Sequence, residues 1–181
     1  MRVPLKLKFY YLLSRFIQKN KTPNFSMDSP REIRDGEEFV LETLKTYLLE
    51  NNINADDLSI KQFPSGYSNL TYFLKSSSEE FVLRRPPFGA KSLQGGHDMF
   101  REYNVLKNLK SQFLKVPDVY LYCDNSEIIG APFYLMERVE GYIIRPNLQQ
   151  KDSPGKEVIK NVSKSLVSTL VELHNVDIDQ A

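Results

Sequence analysis

Apolar positions recur along this 181-residue chain in two different rhythms. In DGEEFVLETLKTYLLENN, residues 35–52, Val40, Leu41, Leu44, Tyr47 and Leu48 fall at helical spacing and predict an amphipathic helix. Asp35 at its start and Glu38 three residues later have the spacing of a capping box. From residue 58 the period shortens to that of a strand: LSIKQF, LTYFL and FVLRR, separated by PSGYSN and KSSSEE, predict three antiparallel strands joined by hairpins. The helical rhythm returns in HDMFREYNVLKNLKSQ, residues 97–112, with Met99, Tyr103, Leu106 and Leu109 on one face. VPDVYLYCD and FYLMERVEG then read as two strands around the turn NSEIIGAP. After the linker PNLQQKDSPG, residues 156–177 predict a long helix with Ile159, Val162, Leu166, Leu170 and Leu173 as its stripe.

Strand alternation separates the adjacent arginines of FVLRRPPFG. Val82 and Arg84 share one face, while Phe81, Leu83 and Arg85 share the other. Arg85 reads as a solvated strand end, and the prolines stop the strand. The element order is strand, small-residue turn, strand, hairpin, strand, helix, strand, strand, linker, helix. That is the order of the nucleotide-binding lobe of a protein-kinase-like fold: an α+β lobe with a five-stranded antiparallel sheet plus a helix, followed by the hinge and the first helix of an incomplete C-lobe. In such a lobe a fixed cation meets phosphate and a carboxylate from the next helix steadies it. Glu102, four residues before Leu106, lies on the inward side of its helix and is the natural partner of Arg84.

FPSGYSNLTYFL, FVLRRPPFG, HDMFREYNVLKNL, IIGAPFYLMERVEG and LVELHNVD, taken in that order, resemble the aminoglycoside phosphotransferase and choline kinase superfamily. They are most similar to the kinase-like domain found alone in bacteria or fused ahead of acyl-CoA dehydrogenases. The resemblance covers residues 35 to 179. It implies that Ser65, Gly66, Ser68 and Asn69 form the turn covering the phosphates, where small residues let backbone N–H groups approach. Only Gly66 there is a glycine, so the turn departs from the G-x-G-x-x-G of protein kinases. It further implies Arg84 in the place of the phosphate-binding lysine, Glu102 as its partner and Val82 as the apolar roof over the base. Met136, Glu137, Arg138 and Val139 would form the connector between lobes, whose backbone C=O and N–H groups pair with the adenine edge. ATP is the implied nucleotide, magnesium the implied metal, and a hydroxyl on a small molecule the implied acceptor, a hydroxylated acyl compound rather than an antibiotic.

In that superfamily the chemistry belongs to an H-x-D-x-x-x-x-N loop and a later aspartate of the second lobe. The two histidines here, His97 and His174, are not followed by Asp two positions on, and both read as helix-end residues that cap or face solvent. No catalytic residue or metal ligand is therefore assigned in this chain, which reads as the nucleotide lobe of a larger phosphotransferase, inactive alone. A non-catalytic nucleotide-binding or interaction module, or a degenerate fragment, is the other reading. The expected organisation is a basic extension over residues 1–26, the nucleotide lobe with its leading helix over 27–140, and a linker with the first C-lobe helix over 141–181. The extension carries six Lys and Arg and no acid, and reads as a disordered or artefactual extension or as a transit-type or membrane-surface segment. An unpartnered stripe on the last helix predicts self-association.

Composition narrows the remaining classes. A formal charge of +1 removes the bulk electrostatic basis for nucleic-acid binding. One cysteine, Cys123, excludes an internal disulfide and a cysteine-built zinc site, and favours a reducing, cytoplasmic setting. No run reaches the roughly 18 apolar residues of a membrane span.

Overall fold

The computed structural model describes residues 29–64, 68–89, 97–141 and 155–177. Along the chain lie α1 (Leu41–Glu50), β1 (Ser59–Gln62), β2 (Leu70–Lys75), β3 (Glu80–Arg85), α2 (Met99–Leu109), β4 (Val119–Cys123), α3 (Ser126–Ile129), β5 (Phe133–Glu137) and α4 (Lys156–His174). The five strands form one sheet in the order β1-β2-β3-β5-β4, with every neighbouring pair antiparallel. This is the α+β, kinase-like lobe that the element order predicts.

Alternation gives the sheet two faces with different work. Tyr72, Leu74, Phe81, Leu83, Phe133 and Leu135 point to one of them and join Leu44 and Leu48 of α1 in a single core. Both leucines are fully buried. Edge-on ring pairs fasten the helix side to the sheet, Phe39 to Tyr72 at 5.2 Å and Tyr47 to Phe133 at 6.0 Å, each worth about 0.5–1.5 kcal/mol beyond its buried area. The opposite face carries Phe73, Val82, Arg84 and Tyr134. Helix α2 lies against β4 and β5, where Phe100 and Tyr103 meet the Tyr122 ring at 5.1 and 5.7 Å.

Three local expectations are corrected. Helix α1 starts at Leu41, with Val40 at its N-cap and no side-chain cap. Asp35 and Glu38 do not form a capping box, because Gly36 adopts φ +81° in a turn and its N–H donates to Glu38 Oε2 at 2.7 Å. Val40 is consequently 65% exposed and Phe39 takes the contact expected of it. The segment NSEIIGAP is more than a turn: it holds α3, capped by Asn125, whose side chain accepts from the Glu127 N–H at 2.9 Å, and closed by left-handed Gly130. Arg85 is the third, and it is fully buried rather than solvated. Its Nη1 donates to Ile129 O at 2.5 Å and its Nε to Pro86 O at 3.1 Å. The guanidinium stacks on Phe88 at 3.7 Å, so a side chain at the end of the core face closes the C-terminus of α3 instead of reaching water. Burial pulls this guanidinium below its ordinary pKa, with Tyr72 and Glu37 opposing the shift.

By internal contacts the chain divides into residues 1–27 with 142–166, and residues 28–141 with 167–181. In the first unit the described part is the beginning of α4, where Ser163 Oγ donates to Ile159 O at 2.9 Å. In the second, Lys115 Nζ pairs with Glu172 at 2.6 Å and Gln112 exchanges hydrogen bonds with the Asp177 backbone at 2.9 and 3.1 Å. No residue of α4 is buried. Its stripe of Ile159, Val162, Leu166, Leu170 and Leu173 is 36–60% exposed. Among the described residues no helix is long and apolar enough to cross a membrane.

Candidate functional site

Two rows of side chains cross the sheet on the face opposite α1. Register sets Phe73, Val82, Met136 and Val119 opposite one another as an apolar row. Two residues along, about 7 Å at the usual rise per strand residue, Thr71, Arg84, Tyr134 and Tyr122 make a polar row. Val82 and Arg84 thus share a face, as period-two alternation requires, and Val82 is only 7% exposed.

Arg84 meets its expected partner. Its Nε lies 3.5 Å from Glu102 Oε2, with the two side chains 32% and 28% exposed. Glu102 is reached because α2 begins at Met99, with Asp98 Oδ1 accepting from the Arg101 N–H at 2.9 Å, as the dipole argument for Asp98 predicts. Two further groups converge on that carboxylate, and a third stands behind one of them. Asn69 Nδ2 donates to Oε1 at 2.8 Å and the Tyr134 hydroxyl to Oε2 at 3.0 Å. His97 Nδ1 stands 2.7 Å from Asn69 Oδ1. Burial drives the Tyr134 phenol well above its ordinary pKa; Arg84 opposes that shift and Glu102 adds to it. A protonated, donating phenol beside the carboxylate follows. Glu102 has its acceptors largely taken, whereas the Arg84 Nε is buried without a hydrogen bond. The fork of a guanidinium carries five donors; this one is not saturated by its carboxylate and keeps a third of its side chain in solvent. Such a donor set suits a phosphate oxygen.

The other anticipated positions fall as follows. Asn69 is 3% exposed and belongs to the cluster, while Ser68 is exposed and Ser65 and Gly66 lie outside the described residues. Met136 and Glu137 end β5 and Val139 is 65% exposed. The Glu137 N–H donates to Asp118 O at 2.8 Å, and its carboxylate accepts from the Asp118 N–H at 3.1 Å. That amide is engaged, so any backbone donor to an adenine edge has to come from further along the connector. Arg138, between them, stacks on Phe73 at 4.4 Å and pairs with Glu80 and Glu140.

Tyr134 and His97 are the members sequence reasoning did not assign. Tyr134 lies two residues before Met136, so strand parity could have found it. His97, read as a cap or a solvent-facing residue, instead contacts Asn69, and nothing in its local sequence signals a partner 28 residues away.

The model of the phosphotransferase enzyme family matches residues 59–181. Acyl-CoA dehydrogenase family member 11 of Rattus norvegicus is 38% identical over 152 residues, covering 81% of this chain and 19% of that protein. Acyl-CoA dehydrogenase family member 10 of Mus musculus is 30% identical over 158 residues, covering 86% and 14%. This chain therefore spans less than a fifth of the length of these relatives. A solved structure from Ralstonia eutropha, designated an aminoglycoside phosphotransferase, superposes with a TM-score of 0.50 at 30% identity, covering 62% of this chain and 32% of that one. The family match over two thirds of the chain, the relatives and the shared lobe together show that this chain belongs to the phosphotransferase enzyme family.

Proposed function

We propose that this chain supplies the ATP-binding half of a small-molecule phosphotransferase. Arg84 meets a phosphate, Glu102 fixes Arg84, and Val82 with Met136 covers the base. In the reaction a substrate hydroxyl oxygen forms a bond to the γ-phosphorus, the bond to the β–γ bridging oxygen breaks, ADP leaves and the hydroxyl proton passes to a base. Catalysis of this kind rests on positioning and charge neutralisation, and the chain's own contribution is the held cation. The observation that carries the reading is Arg84 at 3.5 Å from a carboxylate already bonded by Asn69 and Tyr134.

Neither His97 nor His174 is followed by Asp two positions on. No residue of the chain is assigned to magnesium, and the chain alone is expected to bind nucleotide without turning it over. The relatives named as acyl-CoA dehydrogenase family members favour a hydroxylated acyl acceptor over an antibiotic. Calorimetric titration of the purified chain with ATP and ADP tests the reading. Binding that Arg84→Ala weakens about 10- to 100-fold is expected for the loss of a charge-assisted contact; binding insensitive to that change, or none at all, refutes it. Magnesium-dependent phosphorylation of a hydroxyl by the chain alone would overturn the second half of the proposal.

A further inference from the structure

The side chain of Asn69 is bonded at both ends and 3% exposed. Its Nδ2 lies 2.8 Å from Glu102 Oε1 and its Oδ1 lies 2.7 Å from His97 Nδ1. A carboxylate facing a guanidinium can only accept. The amide must therefore turn its NH2 to Glu102 and its carbonyl to His97, and the imidazole nitrogen at that carbonyl must be the donor. We infer that His97 is a positioning residue, carrying a proton on Nδ1 and holding the Asn69 amide in the one orientation that donates to Glu102. The opposite tautomer fails either way. A bare Nδ1 would set two acceptors 2.7 Å apart, and flipping the amide to relieve that contact would set its carbonyl 2.8 Å from the carboxylate.

The arrangement reaches beyond one bond. His97 adjoins Asp98, whose cap on the Arg101 N–H fixes the start of α2, and Asn69 adjoins Leu70, the first residue of β2. The His97–Asn69 contact thus fastens the beginning of α2 to the beginning of β2, and it sets how firmly Glu102 can hold Arg84. The consequence for nucleotide rests on the reading proposed above; the tautomer and the amide orientation do not.

Two measurements on the full chain separate these. Long-range 15N–1H correlation spectra at pH 8.5, where imidazole is ordinarily neutral, should show His97 protonated at Nδ1 and bare at Nε2. A His97 bare at Nδ1 overturns the inference. Titration with ATP should show His97→Ala weakened about three- to tenfold, the loss of one hydrogen bond. His97→Asn, whose amide nitrogen occupies nearly the place of Nδ1, should restore most of that affinity. His97→Ala should add nothing to Asn69→Ala, and equal rescue failure by Asn and Ala overturns the inference. If the wild-type chain binds no nucleotide, the proposed function falls alone. The inference is then decided by the Asn69 side-chain amide, whose hydrogens should exchange faster in His97→Ala than in His97→Asn; identical exchange in the two variants refutes it.

Discussion

Arg85 buries a whole guanidinium with carbonyl oxygens as its hydrogen-bond partners, and replacing it with Met isolates what that arrangement is worth. Methionine keeps an unbranched stem of similar reach and removes the charge and all the N–H donors, the two engaged nitrogens and the buried, unpartnered Nη2 alike. On the losing side stand two hydrogen bonds from a charged donor, to Ile129 O and Pro86 O, about 1.5–3 kcal/mol each, and the stack on Phe88, about 0.5–1 kcal/mol on a half-exposed ring. On the gaining side the variant escapes the cost of burying a cation, several kcal/mol. These nearly cancel, which leaves the Ile129 carbonyl to decide the outcome. Ile129 is 2% exposed, so water does not readily replace Arg85 there, and an orphaned buried acceptor costs about 1–3 kcal/mol. Arg85→Met should destabilise by about 2 kcal/mol, lowering Tm by roughly 6 °C for a chain of this size. Arg85→Lys should do no better, since a single ammonium keeps the burial cost and cannot occupy the places of both Nε and Nη1. The neighbouring Arg84→Ala should behave oppositely: a pair about one-third exposed contributes about 0.5 kcal/mol to folding, so Tm barely moves while nucleotide affinity falls. Differential scanning calorimetry beside ATP titration makes the comparison. A Tm for Arg85→Met equal to or above wild type, or a large Tm loss in Arg84→Ala, would refute the assignment of the two arginines.

Gly130 closes α3 at φ +82°, and a Cβ there would lie 3.6 Å from Phe88, ordinary contact; Gly130→Ala should therefore cost only the left-handed backbone strain, about 1 kcal/mol, and an unchanged Tm would contradict this. Burial raises the phenols of Tyr72 and Tyr47 to about 12. Because the unfolded chain releases those protons near pH 10 and the folded chain does not, stability should be flat below that pH and fall between roughly 10 and 12, by about 2 kcal/mol for Tyr72 alone. Tyrosinate absorbance that appears near pH 10 with the fold intact would be the contrary result. The exposed stripe of α4 should make the purified chain self-associate at micromolar concentration, with Leu166→Lys and Leu170→Lys returning it to monomer; a wild-type monomer by light scattering would end that expectation.

Period-two alternation made the sheet and the separation of Arg84 from Arg85 legible, because side-chain direction in a strand is settled by parity alone. Helical spacing likewise placed Glu102 on the inward side of α2. Sequence did not reveal the destination of Arg85, since parity says which face a residue occupies and not whether a helix end waits there to be closed. The start of α1 was misjudged because Gly36 could serve equally in a helix or in a turn, and only packing of Phe39 on Tyr72 chose between them. His97 was opaque for a different reason: its partner lies in the turn just before β2, and pairing across 28 residues leaves no periodic trace.

Strand β5 carries Tyr134 and Glu137 three residues apart, about 10 Å at the usual strand rise, with ladders to β3 and β4 on either side. A strand held along both edges behaves as a stiff rod. Force applied to the backbone where it leaves the sheet after Glu137 would arrive at the hydroxyl that grips Glu102, through three peptide units with little slack. Tension in the connector and the stance of the Arg84 cation are then one mechanical variable, and an optical trap pulling on the connector should read its stiffness change when Tyr134 is replaced by Phe.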